Sequence, residues 1–362
     1  MTRPVRALID TQALSHNLKQ VRETAPNSKV MAVVKADAYG HGLAAVANTL
    51  TQAHAFAVAS FDEGLVLRNA GVAHPICLLE GFFDEQELNL LNHYRFSSVV
   101  HNFVQLEQLE RWQGSSPVDV WLKADTGMNR IGFVPGEVPD VLARLQKCNA
   151  VGRVRLMSHL ARADDRTDKV TQDQITLFTQ LATGRELECS LANSAGVVAW
   201  PQSHFDWVRP GIMLYGASPV EGDSAAELGL HPVMTLASQL IAVNYRRKGD
   251  CVGYGGEWVC PEDMRVGVVA IGYGDGYPRL ASALTPVLVN GKRVPLIGRV
   301  SMDMITVDLR GRPDAQVGDS VVLWGQGLPV EEIAARAGTI AYELLARMPK
   351  RVPRVQVNRG EA

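Results

Sequence analysis

The chain has 362 residues, which is enough for one large domain and a smaller one. Its formal net charge of −2 and its 20% of charged residues exclude a general affinity for nucleic acid or acidic membranes. The five cysteines are scattered without a CxxC pair, which favours reduced thiols over a disulfide framework or a zinc site. No apolar run has the length of a signal peptide core or a membrane span. We therefore expect a cytoplasmic protein without a metal.

Up to about residue 218, short apolar runs rich in β-branched residues alternate with segments of helical spacing. Eight of these runs predict strands, at residues 30–34, 56–59, 76–79, 96–100, 118–123, 154–159, 187–192 and 205–209. Between them, apolar residues recur at helical spacing, as in Leu14, Leu18 and Val21. Repeated strand–helix alternation implies a parallel sheet, and eight strands in this length predict a TIM-type (β/α)8 barrel. A doubly wound sheet is the alternative, but no GxGxxG turn follows the first strand.

The pattern changes after about His231, where strand-like runs follow one another without long helices. These runs lie at residues 236–243, 266–270, 286–289, 294–297, 305–309 and 321–324. Asn290-Gly291 between two of them is a strong signal for a two-residue hairpin. Helical runs at residues 330–337 and 340–348 interrupt the strands. The sequence therefore predicts a mainly antiparallel β domain after the barrel.

The boundary between the two predicted domains lies in a small and polar stretch at residues 218–231. We place a barrel at residues 1–228 and a mainly β domain at residues 229–362. Basic residues gather near the end, and the default expectation for them is a solvated tail; they are Lys350, Arg351, Arg354 and Arg359.

Polar residues end five of the eight predicted barrel strands. The residues at or directly after these ends are Lys35, Lys123, His159, Asn193 and Arg209. The chemistry of such barrels takes place at the C-terminal ends of their strands. Five polar strand ends therefore predict an active site at the barrel mouth.

The ends of the seventh and eighth strands occupy the usual phosphate position of such barrels. Ser194 offers a hydroxyl there, and Gly196 and Gly211 allow backbone N–H groups to come close. A phosphate at this place and Lys35 across the barrel suggest pyridoxal 5′-phosphate, which reacts with amines. Taken alone, Lys35 could equally extend into solvent or pair with Asp37, because most lysines are solvated.

The chain also carries a set of longer motifs that resembles the alanine racemase family along nearly its whole length. These motifs are VVKADAYGHG, LKADTGMNRIGF, MSHLARAD, ANSAG, VRPGIMLYG, VGYGGEW, IGYGDGYPR, GRVSMDM and AYELLARMPKRVPR. The resemblance implies a (β/α)8 barrel followed by a β domain. It also implies a homodimer in which the β domain of one subunit covers the barrel mouth of the other.

The resemblance implies two catalytic bases. Lys35 would hold pyridoxal 5′-phosphate as a Schiff base and serve as one base, and Tyr254 would enter from the partner subunit as the other. Racemisation needs a base on each face of a planar carbanion, because one removes the α-proton and the other returns one. Arg209 would face the pyridine nitrogen and keep it unprotonated, since arginine does not give up its proton.

The remaining roles follow from the same resemblance. The phosphate contacts would be Tyr39, Ser194, Gly211, Ile212 and Tyr342, and His159 would lie along the cofactor ring. Arg130 and the backbone N–H of Met302, from the partner subunit, would bind the substrate carboxylate. Lys123 would be carbamylated, and the resulting anion would orient Arg130. The residues that would line the entrance are Tyr273, Tyr342, Asp164, Arg279 and Arg299.

The expected activity is the interconversion of L-alanine and D-alanine, for peptidoglycan synthesis or alanine catabolism. The alternative enzymatic activities are those of a broad-specificity racemase and of an amino-acid decarboxylase. Arg209 argues against a decarboxylase, which usually places an acid at the ring nitrogen, and Lys123 favours the alanine-type pattern. A carrier of pyridoxal phosphate without turnover is a third alternative, but a carrier needs no second base such as Tyr254.

Overall fold

The eight predicted barrel strands are present and close into a parallel barrel. The computed structural model describes residues 3–114 and 116–358. The strands pair in sequence order, and the last pairs with the first, which closes the barrel. They are β2 (Lys29–Val33), β3 (Ala55–Val58), β4 (Ile76–Leu78), β5 (Phe96–Val100), β6 (Val118–Lys123), β7 (Val151–Met157), β8 (Cys189–Ser190) and β9 (Trp207–Val208). The prediction of a (β/α)8 barrel is confirmed, since a doubly wound sheet would leave two free edges.

Helical segments connect the barrel strands. They are α1 (Thr11–Thr24), α2 (Lys35–Tyr39), α3 (Leu43–Thr49), α4 (Phe61–Asn69), α5 (Glu85–Tyr94), α6 (Phe103–Arg111), α7 (Val138–Lys147), α8 (Lys169–Ala182) and α9 (Ser194–Ala199), with 3₁₀ turns at Pro201–Ser203 and Ile212–Tyr215. Most begin at an acceptor side chain; Asp10, for example, accepts the N–H groups of Gln12 and Ala13 at the start of α1. The predicted apolar stripe of α1, which includes Leu14 and Leu18, is buried.

The described residues also form a second sheet of eight strands, seven from the chain after the barrel and one from before it, and its pairs are antiparallel except one. The strands are β1 (Arg6–Asp10), β10 (Met234–Arg246), β13 (Met264–Val269), β14 (Pro286–Val289), β15 (Lys292–Ile297), β16 (Ile305–Asp308), β17 (Ser320–Trp324) and β18 (Arg354–Val357). The predicted hairpin at Asn290-Gly291 joins β14 to β15, and both turn residues have positive φ, as a two-residue turn of this kind requires.

Smaller elements complete the second domain. They are a two-stranded ribbon of β11 (Cys251–Val252) and β12 (Trp258–Val259), helices α10 (Val330–Arg336) and α11 (Ala341–Ala346), and 3₁₀ turns at Tyr254–Gly256 and Tyr273–Asp275. The two helices confirm the helical runs that the sequence predicts there. Among the described residues, no helix combines the length and apolar character needed to cross a membrane.

The two ends of the chain meet in the second sheet, which the sequence does not predict. Strand β1 pairs with β10 on one side and with β18 on the other, so the N-terminal strand belongs to the sheet and not to the barrel. The boundary at residues 228 and 229 stays a prediction. The expected solvated tail is wrong, because Arg351 and Arg354 form ion pairs and β18 is a paired strand. Arg359 lies outside the described residues.

Candidate active site

A cavity of about 660 Å³ opens at the C-terminal ends of the barrel strands. It brings together eleven of the residues that the sequence analysis singles out, namely Lys35, Tyr39, Lys123, Arg130, His159, Asn193, Ser194, Arg209, Gly211, Ile212 and Tyr342. Of the described residues that line it, four are cationic and one, Glu80, is acidic. The cavity therefore favours an anionic ligand.

Lys35 is half-buried at the wall of this cavity, two residues after β2 ends. Its side-chain nitrogen has no hydrogen bond or ion pair with residues 3–114 and 116–358, so no protein contact blocks it from a ligand in the cavity. The alternative pairing with Asp37 is wrong. The Asp37 carboxylate accepts the Leu43 N–H at 2.8 Å and lies 3.4 Å from the Arg354 guanidinium.

The segment that follows Lys35 is a left-handed turn. Ala36 to Tyr39 have φ angles of 51–55°, and Gly40 continues at 77°. A run of non-glycine residues in this region is rare, because each Cβ crowds the following carbonyl oxygen. The Glu63 carboxylate accepts the Ala36 N–H at 2.6 Å, and Arg354 donates to the Gly40 carbonyl at 3.1 Å. These contacts hold the turn, which places Lys35 and Tyr39 in one cavity.

Donors for a phosphate group lie where β8 and β9 end. The Ser194 hydroxyl oxygen accepts the N–H groups of Gly211 at 2.8 Å and Met213 at 3.4 Å, which leaves its own hydrogen free to donate. A Cβ at Gly211 would lie 2.5 Å from the Tyr39 hydroxyl, so this close approach requires glycine. Burial raises the pKa of Tyr39 to about 12, and its phenol remains a donor at neutral pH. The chemistry of this donor set fits a phosphate.

Arg209 is a buried cation at the end of β9. Its guanidinium donates to the Ser190 hydroxyl and the Ser158 carbonyl, both at 2.5 Å, and no carboxylate of the described residues lies within 4.0 Å of it. It also contacts Nδ1 of His159 at 3.4 Å, and since arginine only donates, that nitrogen must accept. Burial, and then the charge of Arg209, lower the pKa of His159 well below its ordinary value. The imidazole is therefore neutral.

Lys123 at the end of β6 is the second buried cation. Burial, followed by the charge of Arg209, lowers its pKa to about 7. Its amine donates to the Ala124 carbonyl at 3.3 Å. A large fraction of this side chain is therefore an uncharged, nucleophilic amine at neutral pH.

The other predicted residues lie outside this cavity. Most of them form one surface patch on the second domain, which we call the β-domain patch: Tyr254, Tyr273, Arg279, Arg299 and Met302. Arg299 pairs with Glu257 beside the Tyr254–Gly256 turn, and Arg279 lines the same surface pocket as these two residues. Arg279 lies 6.0 Å from the Tyr273 ring, and the Tyr273 N–H donates to the Ser301 carbonyl at 3.0 Å, next to Met302. Tyr254 is 70% exposed in the single chain. Asp164 lies apart from the patch, exposed on the barrel.

Sequence reasoning missed Glu80 and His101, which also line the cavity. His101 Nε2 lies 3.1 Å from the Glu80 carbonyl, and burial is the main cause of a lowered pKa at His101. Both residues stand just after barrel strands, β4 and β5. The strand-end rule that identified Lys35 and Arg209 would also have found them.

Two family models cover most of the chain. The model described as "Alanine racemase, N-terminal domain" matches residues 9–219, and the model described as "Alanine racemase, C-terminal domain" matches residues 233–356. These two ranges correspond to the barrel and to most of the second sheet.

Curated relatives and solved structures agree with the family models. The chain is 56% identical over 350 residues to an alanine racemase of Nitrosococcus oceani, which covers 96% of this chain and 98% of the relative. It is 51% identical over 347 residues to a biosynthetic alanine racemase of Escherichia coli (strain K12), with 95% and 97% covered. The crystal structure of biosynthetic alanine racemase from Pseudomonas aeruginosa superposes with a TM-score of 0.96 at 45% identity, over 99% of this chain and 100% of that one. The chain therefore belongs to the alanine racemase family.

Proposed function

We propose that this alanine racemase works with pyridoxal 5′-phosphate and two catalytic bases, in a homodimer whose subunits share their active sites. The observation that carries the proposal is one cavity in which the unpaired amine of Lys35 and a set of phosphate donors meet. The cofactor needs both features, since its aldehyde reacts with an amine and its phosphate needs donors.

Seven residues of the cavity would hold this cofactor. Lys35 would hold it covalently, and Ser194, Gly211, Ile212, Tyr39 and Tyr342 would bind its phosphate. Arg209 would face the ring nitrogen. Because the guanidinium is charged and only donates, that nitrogen stays unprotonated, which limits how strongly the ring withdraws electrons. When bound to an amino acid, the cofactor stabilises the negative charge left at Cα after the proton leaves.

The two bases act on opposite faces of Cα. The neutral amine of Lys35 takes the proton from one face, and the phenol of Tyr254 of the partner subunit supplies one to the other face. In the reverse direction, the phenolate takes the proton and the ammonium of Lys35 returns it. Positioned acids and bases of this kind contribute roughly 10²–10⁴-fold each to the rate.

Lys123 supports substrate binding after modification. Its neutral amine attacks the carbon of CO₂: a C–N bond forms, one C–O π pair moves onto oxygen and an N–H proton passes to solvent, which places a carbamate anion beside Arg130. The lowered pKa of Lys123, about 7, supports this step, because only the neutral amine reacts. The carbamate then orients Arg130 toward the substrate carboxylate.

Exposed apolar side chains around the β-domain patch support the dimer. Leu280 is 79% exposed, Met302 52% and Met304 45%, beside Tyr254 and Tyr273. Apolar clusters of this kind mark protein interaction sites. A partner barrel would cover them, and Tyr254 would thereby enter that barrel's mouth. A cytoplasmic location stays a prediction.

Proton NMR of L-alanine in D₂O with the cofactor-loaded protein tests the proposal, with D-alanine measured in parallel. We expect loss of the α-proton signal together with the appearance of D-alanine. Loss of the α-proton signal without formation of D-alanine would mean that Lys35 acts alone and that Tyr254 is misassigned. A protein that binds the cofactor but is silent with alanine, serine, lysine and arginine would be a carrier instead.

A further inference from the structure

Four charged residues form a closed ionic network below the β-domain patch. Arg3 contacts Asp275 at 2.9 Å and Asp303 at 3.3 Å, while Arg351 contacts the same two carboxylates at 3.0 Å and 2.7 Å. The arginines come from opposite ends of the chain, and the aspartates come from two loops of the second domain. We call these residues the four-residue network.

Asp275 is the centre of this network. Its side chain is fully buried, and its carboxylate also accepts the Gly272 N–H at 3.0 Å. A buried carboxylate is stable only when its partners neutralise it, so Asp275 requires both arginines. The positions of Arg3, Arg351 and the 272–275 loop are therefore interdependent.

The network joins two loops whose backbones are in direct contact. The Gly274 N–H donates to the Met302 carbonyl at 2.9 Å, and Arg3 donates to the Asp303 carbonyl at 3.0 Å. A Cβ at Gly272 would overlap the Ser301 carbonyl oxygen, so the two backbones could not approach in this way with a larger residue. Residues 301–303 are thus fixed from below by the 272–275 loop and by the network.

The Met302 N–H is the donor that this arrangement leaves free. It has no acceptor within residues 3–114 and 116–358, and Met302 itself is half-exposed at the surface. An N–H held in this way is a preorganised donor for an anion. We propose that Arg3, Asp275 and Arg351 are positioning residues that, through Asp303, aim the Met302 N–H at the substrate carboxylate in the partner's site. This inference rests on the proposed shared site.

Loss of the contact between the Met302 N–H and the substrate carboxylate should affect KM and not kcat. The substrate carboxylate does not react, so the Met302 N–H binds it equally in the ground state and the transition state. Loss of such uniform binding raises KM and leaves kcat unchanged. The effect is the same for both enantiomers, because both present the same carboxylate.

Asp275→Asn tests this inference in the cofactor-loaded enzyme, since it removes the charge and keeps an acceptor for the Gly272 N–H. We expect KM for L- and D-alanine to rise about tenfold, with kcat within about twofold of the wild type. A tenfold rise in KM corresponds to the loss of roughly one charge-assisted hydrogen bond. Binding of propionate, which carries the carboxylate and methyl of alanine without the amine, should weaken by the same factor. Arg351→Lys, which keeps the positive charge, should lose less of the propionate affinity than Arg351→Gln.

Arg293→Gln is the matched control, because it breaks an ion pair with Glu332 elsewhere in the second domain. It should leave KM and propionate binding unchanged. If Asp275→Asn fails to fold, Arg3→Gln carries the same test, since the Arg3 side chain is one-third exposed.

A lower melting temperature with unchanged KM and propionate affinity would overturn the inference and make the network purely structural. A fall in kcat at constant KM would also overturn it. If the wild type failed to racemise alanine, the proposed function would be wrong. The propionate titration would still test the positioning role of the network, because carboxylate binding needs no turnover.

Discussion

At the residue scale, the barrel mouth contains basic side chains that the described residues do not pair with a carboxylate. Lys35, Lys123 and Arg209 face one cavity, and among the described residues none of them has a carboxylate partner within 4.0 Å. Such an arrangement is costly unless an anion binds, because buried like charges repel one another. A phosphate, a carbamate and a substrate carboxylate are the anions that the proposed function supplies.

Tyr254→Phe removes the proposed second base and keeps the ring. We expect racemisation to fall by about 10²-fold or more, while α-proton exchange of one enantiomer continues through Lys35. Exchange in D₂O and the formation of the opposite enantiomer measure the two steps separately. Tyr245→Phe is the control, because Tyr245 is also an exposed tyrosine of this domain, on β10. Full racemisation by Tyr254→Phe would exclude Tyr254 as a base.

Lys123 should show a pH-dependent carbamate. Its pKa of about 7 means that the amine is neutral above that pH and protonated below it. We therefore expect carbamate occupancy to fall as the pH drops through about 7, and KM for alanine to rise with the loss, because Arg130 is no longer oriented. Carbon-13 NMR with labelled bicarbonate measures the occupancy, and Lys123→Gln should abolish the signal. An active enzyme without that signal at any pH would contradict this account of Arg130.

At the element scale, the left-handed turn after β2 stores strain beside Lys35, the proposed catalytic base. Several non-glycine residues in this conformation each cost about 1–2 kcal/mol. The surrounding contacts maintain it, chiefly the Glu63 carboxylate and the Arg354 guanidinium. The turn directs the Tyr39 ring against Tyr215, with ring centroids 4.7 Å apart, and so sets the position of the Tyr39 hydroxyl.

Ala36→Gly should stabilise the protein, since Ala36 is exposed and its φ is 55°. Relief of the strain exceeds the added entropy of the unfolded chain, and we expect a gain of about 0.5–1 kcal/mol. The same change in a right-handed helix, Ala45→Gly in α3, should lose about 1 kcal/mol. Urea unfolding midpoints measure both. A loss of stability for both variants would mean that the turn is unstrained.

At the scale of the whole molecule, the residues proposed for the active site lie in two separate places on the chain. The cavity contains Lys35, and the β-domain patch presents Tyr254 and Met302 to the outside. Under the proposed function, a symmetric partner would bring these two places together, with each β domain completing the other subunit's barrel.

Mixed dimers test the sharing of sites. Lys35→Ala and Tyr254→Phe proteins should each be inactive alone. When they are unfolded together in equal amounts and refolded, half of the dimers are mixed, and one of the two sites in each mixed dimer has both native bases. We expect recovery of about a quarter of the wild-type activity. No recovery from refolded, cofactor-loaded mixtures would show that each chain carries its own complete site.

Local patterns in the sequence determined most of the fold and much of the site. The positions of the eight barrel strands, the Asn290-Gly291 hairpin and the polar strand ends all depend on residues close together in the chain. Periodicity and turn chemistry act over a few residues, and the carboxyl ends of parallel strands meet at one rim. Lys35 and Arg209 therefore converge in the structure as the sequence indicates.

Only the tertiary structure decided the features that depend on distant parts of the chain. Arg3 contacts Asp275 across 272 residues, and β1 pairs with β18 at the opposite end of the chain. The left-handed turn could not be predicted from the local sequence either, because alanine rarely adopts positive φ. The contacts that hold the turn come from Glu63 and Arg354, which lie elsewhere in the chain. Long-range pairing depends on how the whole chain packs, which no local pattern encodes. The sequence by itself therefore identified the chemical groups of the site, and the packed structure decided how they are held.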